Sequence, residues 1–148
     1  MPWACVDIAR QRRLASDRRG TAAVEFALVM PLFVLILTGV FTYGVYFGTA
    51  FNVESVAAEA ARAAVGGLTP SERSALAQAQ VSRILGQGSL LDPGKLEVEA
   101  QTATDNPDFF DVRLRYDSSA LAIWAFEGLL PMPPRIIERA AVVRRGGY

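Results

Sequence analysis

The sequence predicts an α+β protein: a long N-terminal transmembrane helix extended by an amphipathic helix, a second helix, and a small antiparallel sheet of about three strands. Three observations carry this. No charged residue occurs from position 26 to position 53, 28 consecutive places, and about 20 helical residues suffice to cross a bilayer core. Beyond Asn52 apolar residues recur at spacings of three and four, the period of a helix with one covered face. From Lys95 the period falls to two, as in strands that bury one side.

The chain begins with a basic segment, residues 1–20, carrying five Arg (10, 12, 13, 18 and 19) against Asp7 and Asp17. That is a net +3, so the rest of the neutral chain is −3. Short flanks rich in Lys and Arg stay cytoplasmic, which puts the N-terminus inside and the C-terminal domain outside. Two roles stay open for the leader on its residues alone: a cytoplasmic tail that orients the helix, or a piece that a protease removes. A secretory signal has an apolar region of roughly 7–15 residues, about half of the run here. A twin-Arg signal at Arg18-Arg19 would lack a bulky apolar continuation, because Gly20-Thr21-Ala22 follows. The only cysteine, Cys5, has no apolar run before it to suit a lipoprotein. It also leaves the exported part without a disulfide.

Residues 21–51 are the membrane helix. Glu25 stands at its entrance between Val24 and Phe26, and a carboxylate in an apolar bundle is costly unless paired or neutralised. It either pairs with a cation or sits at headgroup level and reaches water. Pro31, without an N–H, should kink the helix or loosen its bond to residue 27. Gly44 and Gly48 form a G-x-x-x-G that lets a neighbouring helix approach. Tyr43, Tyr46, Phe47 and Phe51 fall where an outer interfacial aromatic belt is expected.

The run Arg18-Arg19-Gly20-Thr21-Ala-Ala-Val-Glu25-Phe26-Ala-Leu-Val-Met-Pro31 resembles the start of the TadE-like family, minor pseudopilins of tight-adherence (Flp-type) type IVb pilus systems. It holds that family's basic leader, Gly, four small or apolar residues, Glu, an aromatic and an early Pro, in order. The likeness extends to about residue 65, through the Ala-rich stretch, and returns at Ile136 to Arg145. It implies cleavage between Gly20 and Thr21 by a membrane prepilin peptidase. It implies that Glu25, with Phe26, sets register by meeting the free amine of a neighbouring subunit. It also implies that the Pro31 bend helps subunits pack or leave the bilayer. The implied partners are the peptidase, other pilins or pseudopilins and inner-membrane assembly proteins. The bilayer is a partner by the helix itself.

Residues 52–148 are read as a periplasmic pilin-like domain. Val53, Val56, Ala57, Ala60, Ala61 and Ala64 make one stripe, with Glu54, Glu59 and Arg62 off it, and Gly66-Gly67 ends the helix. Thr69-Pro70-Ser71-Glu72 reads as N-cap, first-turn Pro and capping box. The helix it starts should turn Leu76, Ala79, Ile84 and Leu85 inward and stop at Gly86. Leu96, Val98 and Ala100 alternate with Glu97, Glu99 and Gln101, and Phe110, Val112, Leu114 and Tyr116 with Asp111, Arg113 and Arg115. An antiparallel hairpin about Pro107 would set Glu97 and Glu99 against Arg113 and Arg115. In 118–134, Ser118 or Ser119 should cap a short helix with Leu121, Trp124 and Phe126, Trp124 being either core or an exposed patch. Ile136 to Val143 is a third strand, apolar on both faces, which suits a central or helix-covered place.

No enzymatic chemistry is expected. The chain has no His, the commonest general base and metal ligand. It shows neither a phosphate-binding G-x-x-x-x-G-K-[ST] nor a G-x-S-x-G elbow. Asp105, Asp108 and Asp111 lack the spacing and glycine of a calcium loop and read as turn formers. No cofactor, metal, small-molecule substrate or nucleic acid is expected, since basic residues gather in the leader and at Arg144-Arg145. The expected function is a minor pilin-like subunit needed to assemble a tight-adherence pilus or secretion apparatus in a bacterial inner membrane, with incorporation into the pilus left open. The competing expectation is an unprocessed single-pass periplasmic adaptor of an envelope complex.

Overall fold

A computed structural model describes residues 18–104 and 106–144. The leader up to residue 17, Asp105 and Arg145 lie outside the described residues. The expected α+β architecture is present: helix α1 (Arg18–Ala64), helix α2 (Pro70–Gly86), and strands β1 (Leu96–Thr102), β2 (Phe109–Asp117) and β3 (Ile136–Arg144). The chain divides into two compact units, Met1–Val40 and Phe41–Tyr148.

The second unit is built on the α1 stripe. Val53, Val56, Ala57, Ala60, Ala61 and Ala64 are all buried, together with Ala50 and Tyr46 one and two turns earlier. They share one core cluster with Phe110, Val112, Leu114 and Tyr116 of the sheet. The aromatics expected in an outer belt therefore split: Tyr46 joins the core, whereas Phe47 and Phe51 are exposed. Val65, Gly66 and Gly67 close the helix with i→i−3 bonds, the tightened last turn that satisfies free carbonyls.

Helix α2 starts as its sequence dictates. The Thr69 hydroxyl accepts from the Glu72 N–H at 3.2 Å, and the Glu72 carboxylate accepts from the Leu68 and Thr69 N–H groups at 2.9 and 3.2 Å. The bonds from Leu68 and then Thr69 hold the Glu72 carboxyl below its ordinary range. The inward face differs from expectation. Arg73, Ala77 and Val81 are buried, Ile84 and Leu85 are half-buried, and Leu76 and Ala79 face out. The cause is local: Arg73 folds back so that its Nε donates to the Gly67 carbonyl at 2.8 Å. Gly67 has no side chain to block it.

The sheet order is β1-β2-β3, antiparallel throughout. Phe110, Val112, Leu114 and Tyr116 of β2 point to the helices and are buried, while the alternate residues carry charge. On that outer face Arg115 bridges Glu97 and Glu138, each at 3.7 Å, and Arg113 lies 3.3 Å from Glu138 and 3.4 Å from Asp111. The register does oppose Glu99 to Arg113, but Arg113 turns to the other side and pairs with β3. The turn is an Asn106 turn, its side chain accepting from the Asp108 N–H and its carbonyl from the Phe109 N–H.

Strand β3 is an edge strand, and β2 holds the centre. Its Ile137 is buried, while Ile136 and Val142 on the other face are exposed, so two-faced apolarity did not mean two covered faces. Between β2 and β3 the expected short helix is replaced by two 3-10 turns, Ser118–Ala120 and Ala122–Phe126. Asp117, not a serine, caps the first. Bonds from the Ser119 side chain and then its N–H keep the Asp117 carboxyl below its usual range. Ile123 fills the core, and Trp124 is half-buried at its rim.

Candidate functional site

The residues singled out by sequence lie on α1. In the first unit the helix from Phe26 to Leu37 is apolar on all sides and exposed on all sides. Val24, Phe26, Leu28, Val29, Met30, Leu32 to Leu37 and Val40 each expose between 42% and 75% of their surface. Full burial of such a side chain is worth about 1.5–3 kcal/mol, so these twelve, half-exposed, leave on the order of 10–20 kcal/mol unclaimed in water. A helix of this kind needs hydrocarbon or other helices around it. Its most apolar 18-residue window has a mean hydropathy of 2.4, which is consistent with a single-pass membrane anchor. Thr38 is compatible with that setting, because its hydroxyl donates to the Val34 carbonyl at 2.8 Å.

Gly20, Thr21, Glu25 and Phe26 occupy the first three turns, all exposed. A Cβ added at Gly20 would meet nothing within 4 Å, and the Gly20–Thr21 bond lies within the helix. Thr21 and Glu25 are four apart and share a helix face. Glu25 makes no ion pair or hydrogen bond among the described residues. The helix continues through Pro31, whose missing N–H leaves the Ala27 carbonyl without its intrahelical donor.

In the second unit Gly44 and Gly48 lie one turn apart and both face outward, with nothing within 4 Å of a Cβ at either. The opposite side of the same turns is engaged with the domain: Thr42 and Tyr46 are buried, and the Tyr43 hydroxyl donates to the Pro131 carbonyl at 2.6 Å. The glycines are therefore on the free side of the helix.

A family model described as TadE-like protein matches residues 20–62. This segment is TadE-like. The matched stretch opens at Gly20 and holds Thr21, Glu25, Phe26, Pro31, Gly44 and Gly48, all of the residues that the sequence marks. The TadE-like assignment points to a pilin-like protein associated with tight-adherence pilus systems. Comparison with curated proteins and with solved structures returned no match.

Beyond the TadE-like segment the domain offers recesses but no converging chemistry among the described residues. One is bounded by Lys95, Glu97, Arg115 and Asp117, groups of both signs at the sheet's outer edge. Another lies between α2 and β1, against Val81, Leu85, Leu96 and Val98. No three His, Cys, Asp or Glu side chains among the described residues come together as a metal site requires. What sequence reasoning missed is the Tyr43 to Pro131 contact, which joins residues 88 apart and has no local signal.

Proposed function

We propose that the chain is a minor pilin-like subunit, a pseudopilin, needed to assemble a tight-adherence pilus or secretion apparatus, and that a prepilin peptidase cuts it after Gly20. The observation that carries this is the TadE-like match beginning at Gly20, the residue that would precede the cut. Cleavage removes the basic leader and gives Thr21 a free α-amine. A neighbouring subunit's amine then meets Glu25, and the pair relieves the cost of holding a carboxylate among apolar helices.

The remaining features follow from that role. The leader's positive charge keeps the N-terminus cytoplasmic and the C-terminal domain periplasmic. The bare helix 20–40 packs laterally with other pilins and inner-membrane assembly proteins, and the open face at Gly44 and Gly48 admits a close helix neighbour. Pro31 supplies a weak point where the helix bends on assembly. The domain works by contact, with no catalysis, cofactor, nucleic acid or small-molecule substrate.

Complementation tests the role. In the native bacterium lacking this chain, Glu25→Ala should insert in the membrane at normal abundance yet fail to restore pili or secretion. Full restoration by Glu25→Ala would remove the register role and leave an unprocessed periplasmic adaptor as the better account.

A further inference from the structure

The loop between Trp124 and β3 carries an unusual combination. From Gly128 to Pro134 its sequence is GLLPMPP, without a charge, between Glu127 and Arg135. Those two residues close its base, Arg135 Nη2 lying 2.6 Å from Glu127 Oε2. The Arg135 guanidinium also sits 4.4 Å above the Trp124 ring, whose Nε1 donates to the Ser118 carbonyl at 2.6 Å. At the tip Leu129 is 67% exposed.

Two observations say what covers this loop. Tyr43, which bonds the Pro131 carbonyl, belongs to the charge-free stretch 26–53. About twenty residues counted from Phe26 end near Val45, so the loop is fixed beside the last membrane turn. Its backbone also suits a dry setting, where every N–H and C=O needs a partner. Pro131, Pro133 and Pro134 have no N–H. The Leu129 and Leu130 N–H groups both turn back to the Phe126 carbonyl, at 3.0 and 3.4 Å. Gly128, at φ +96°, makes the turn that brings them there.

We propose that loop 128–134 is a second membrane contact, with Leu129 and Leu130 entering the boundary between headgroups and acyl chains on the domain's side of the bilayer. Trp124, Arg135 and Glu127 stay at headgroup level, where an indole and a long cationic side chain are at home. The loop thereby anchors the domain through a point separate from α1 and fixes its rotation about the helix. This rests on the reading of α1 as a membrane anchor.

The test uses the full chain in phosphatidylcholine and phosphatidylglycerol vesicles, in a Cys5→Ser background. An environment-sensitive fluorophore is attached at Leu129→Cys, at Gln87→Cys on the exposed end of α2, or at Leu35→Cys in the membrane helix. Quenching by nitroxide lipids should be several-fold stronger at Leu129→Cys than at Gln87→Cys, and greatest for a nitroxide near the glycerol end of the chain. Adding Tyr43→Phe should weaken it. If Leu129→Cys answers only to aqueous iodide while Leu35→Cys answers to lipid, the loop proposal fails and the anchor stands. A probe at Leu129→Cys shielded from both quenchers means that protein covers the loop, which also overturns it. If Leu35→Cys is itself open to iodide, the anchor reading fails first.

Discussion

Replacing Gly67 by Ala should loosen the join between the two helices of the domain. A Cβ at this position would lie 2.7 Å from both the backbone nitrogen and Cγ of Arg73 and 3.0 Å from its Cα. Two of the three atoms are backbone, so no rotamer change relieves the clash. The first turn of α2, held by the Thr69 and Glu72 capping box, must shift instead. Overpacking of this kind costs about 1–3 kcal/mol. Arg73 is only 6% exposed, and movement weakens its bond to the Gly67 carbonyl. A buried charged donor left unsatisfied adds about 1–3 kcal/mol. Against this, loss of glycine entropy in the unfolded chain returns about 0.4–1 kcal/mol. The net expectation is a destabilisation of about 2–4 kcal/mol, with melting lowered by roughly 4–8 °C for each kcal/mol in a domain of this size. Thermal unfolding of the detergent-solubilised chain, followed by Trp124 emission in a Trp3→Phe background, measures it. Gly86→Ala is the control, since a Cβ there meets nothing within 4 Å and a helical Gly→Ala gains up to about 1 kcal/mol. Equal stability of the two variants would refute the packing argument.

Two further outcomes follow from the same structure. Thr42 is fully buried and its hydroxyl has no partner among the described residues, so Thr42→Val, nearly the same in shape, should raise stability by about 1 kcal/mol in the same melt. A loss of stability would mean that the hydroxyl is bonded. The Glu72 carboxyl is held below its ordinary range, so its contribution is complete above the unfolded Glu range and disappears as pH falls through the lowered folded value. Glu72→Gln should flatten that acid limb, with the Leu68 and Thr69 amide shifts as the site-specific readout. An unchanged limb would put the acid sensitivity elsewhere.

Local signals carried most of the fold. The Thr69-Pro70-Ser71-Glu72 start, the alanine stripe of α1 and the alternation in β1 and β2 each concern residues within a few positions of one another, and each is found in place. The departures arise where a contact outside an element's own period decides, whether near in the chain or far. Arg73 turns inward because a glycine six residues earlier offers both space and a carbonyl, which hydropathy ranks below burying Leu76. Strand β3 sits at the edge although Ile136, Ile137, Val142 and Val143 are apolar on both faces, because the helices cover one face of the sheet and nothing in its own period says which. Trp124, open by sequence between core and surface patch, packs half-buried against the core, while Ile123 beside it is the fully buried one. Tyr46 looked interfacial and is part of the core, and the neighbouring Tyr43 is tied to Pro131, 88 residues on. Gly20, Glu25 and Pro31 could be picked out because a pattern that depends only on order along one helix is visible in sequence, and the TadE-like match covers them; their roles are proposals that the complementation and mass assays address.

The measurement that tests the central claim most directly is the mass of the membrane-extracted chain, produced with and without a prepilin peptidase and again as Gly20→Arg. Processing predicts that the wild-type chain loses residues 1–20 only when the peptidase is present, and that Gly20→Arg keeps its full mass. Full-length mass in every case would contradict it and leave the leader as an orienting tail.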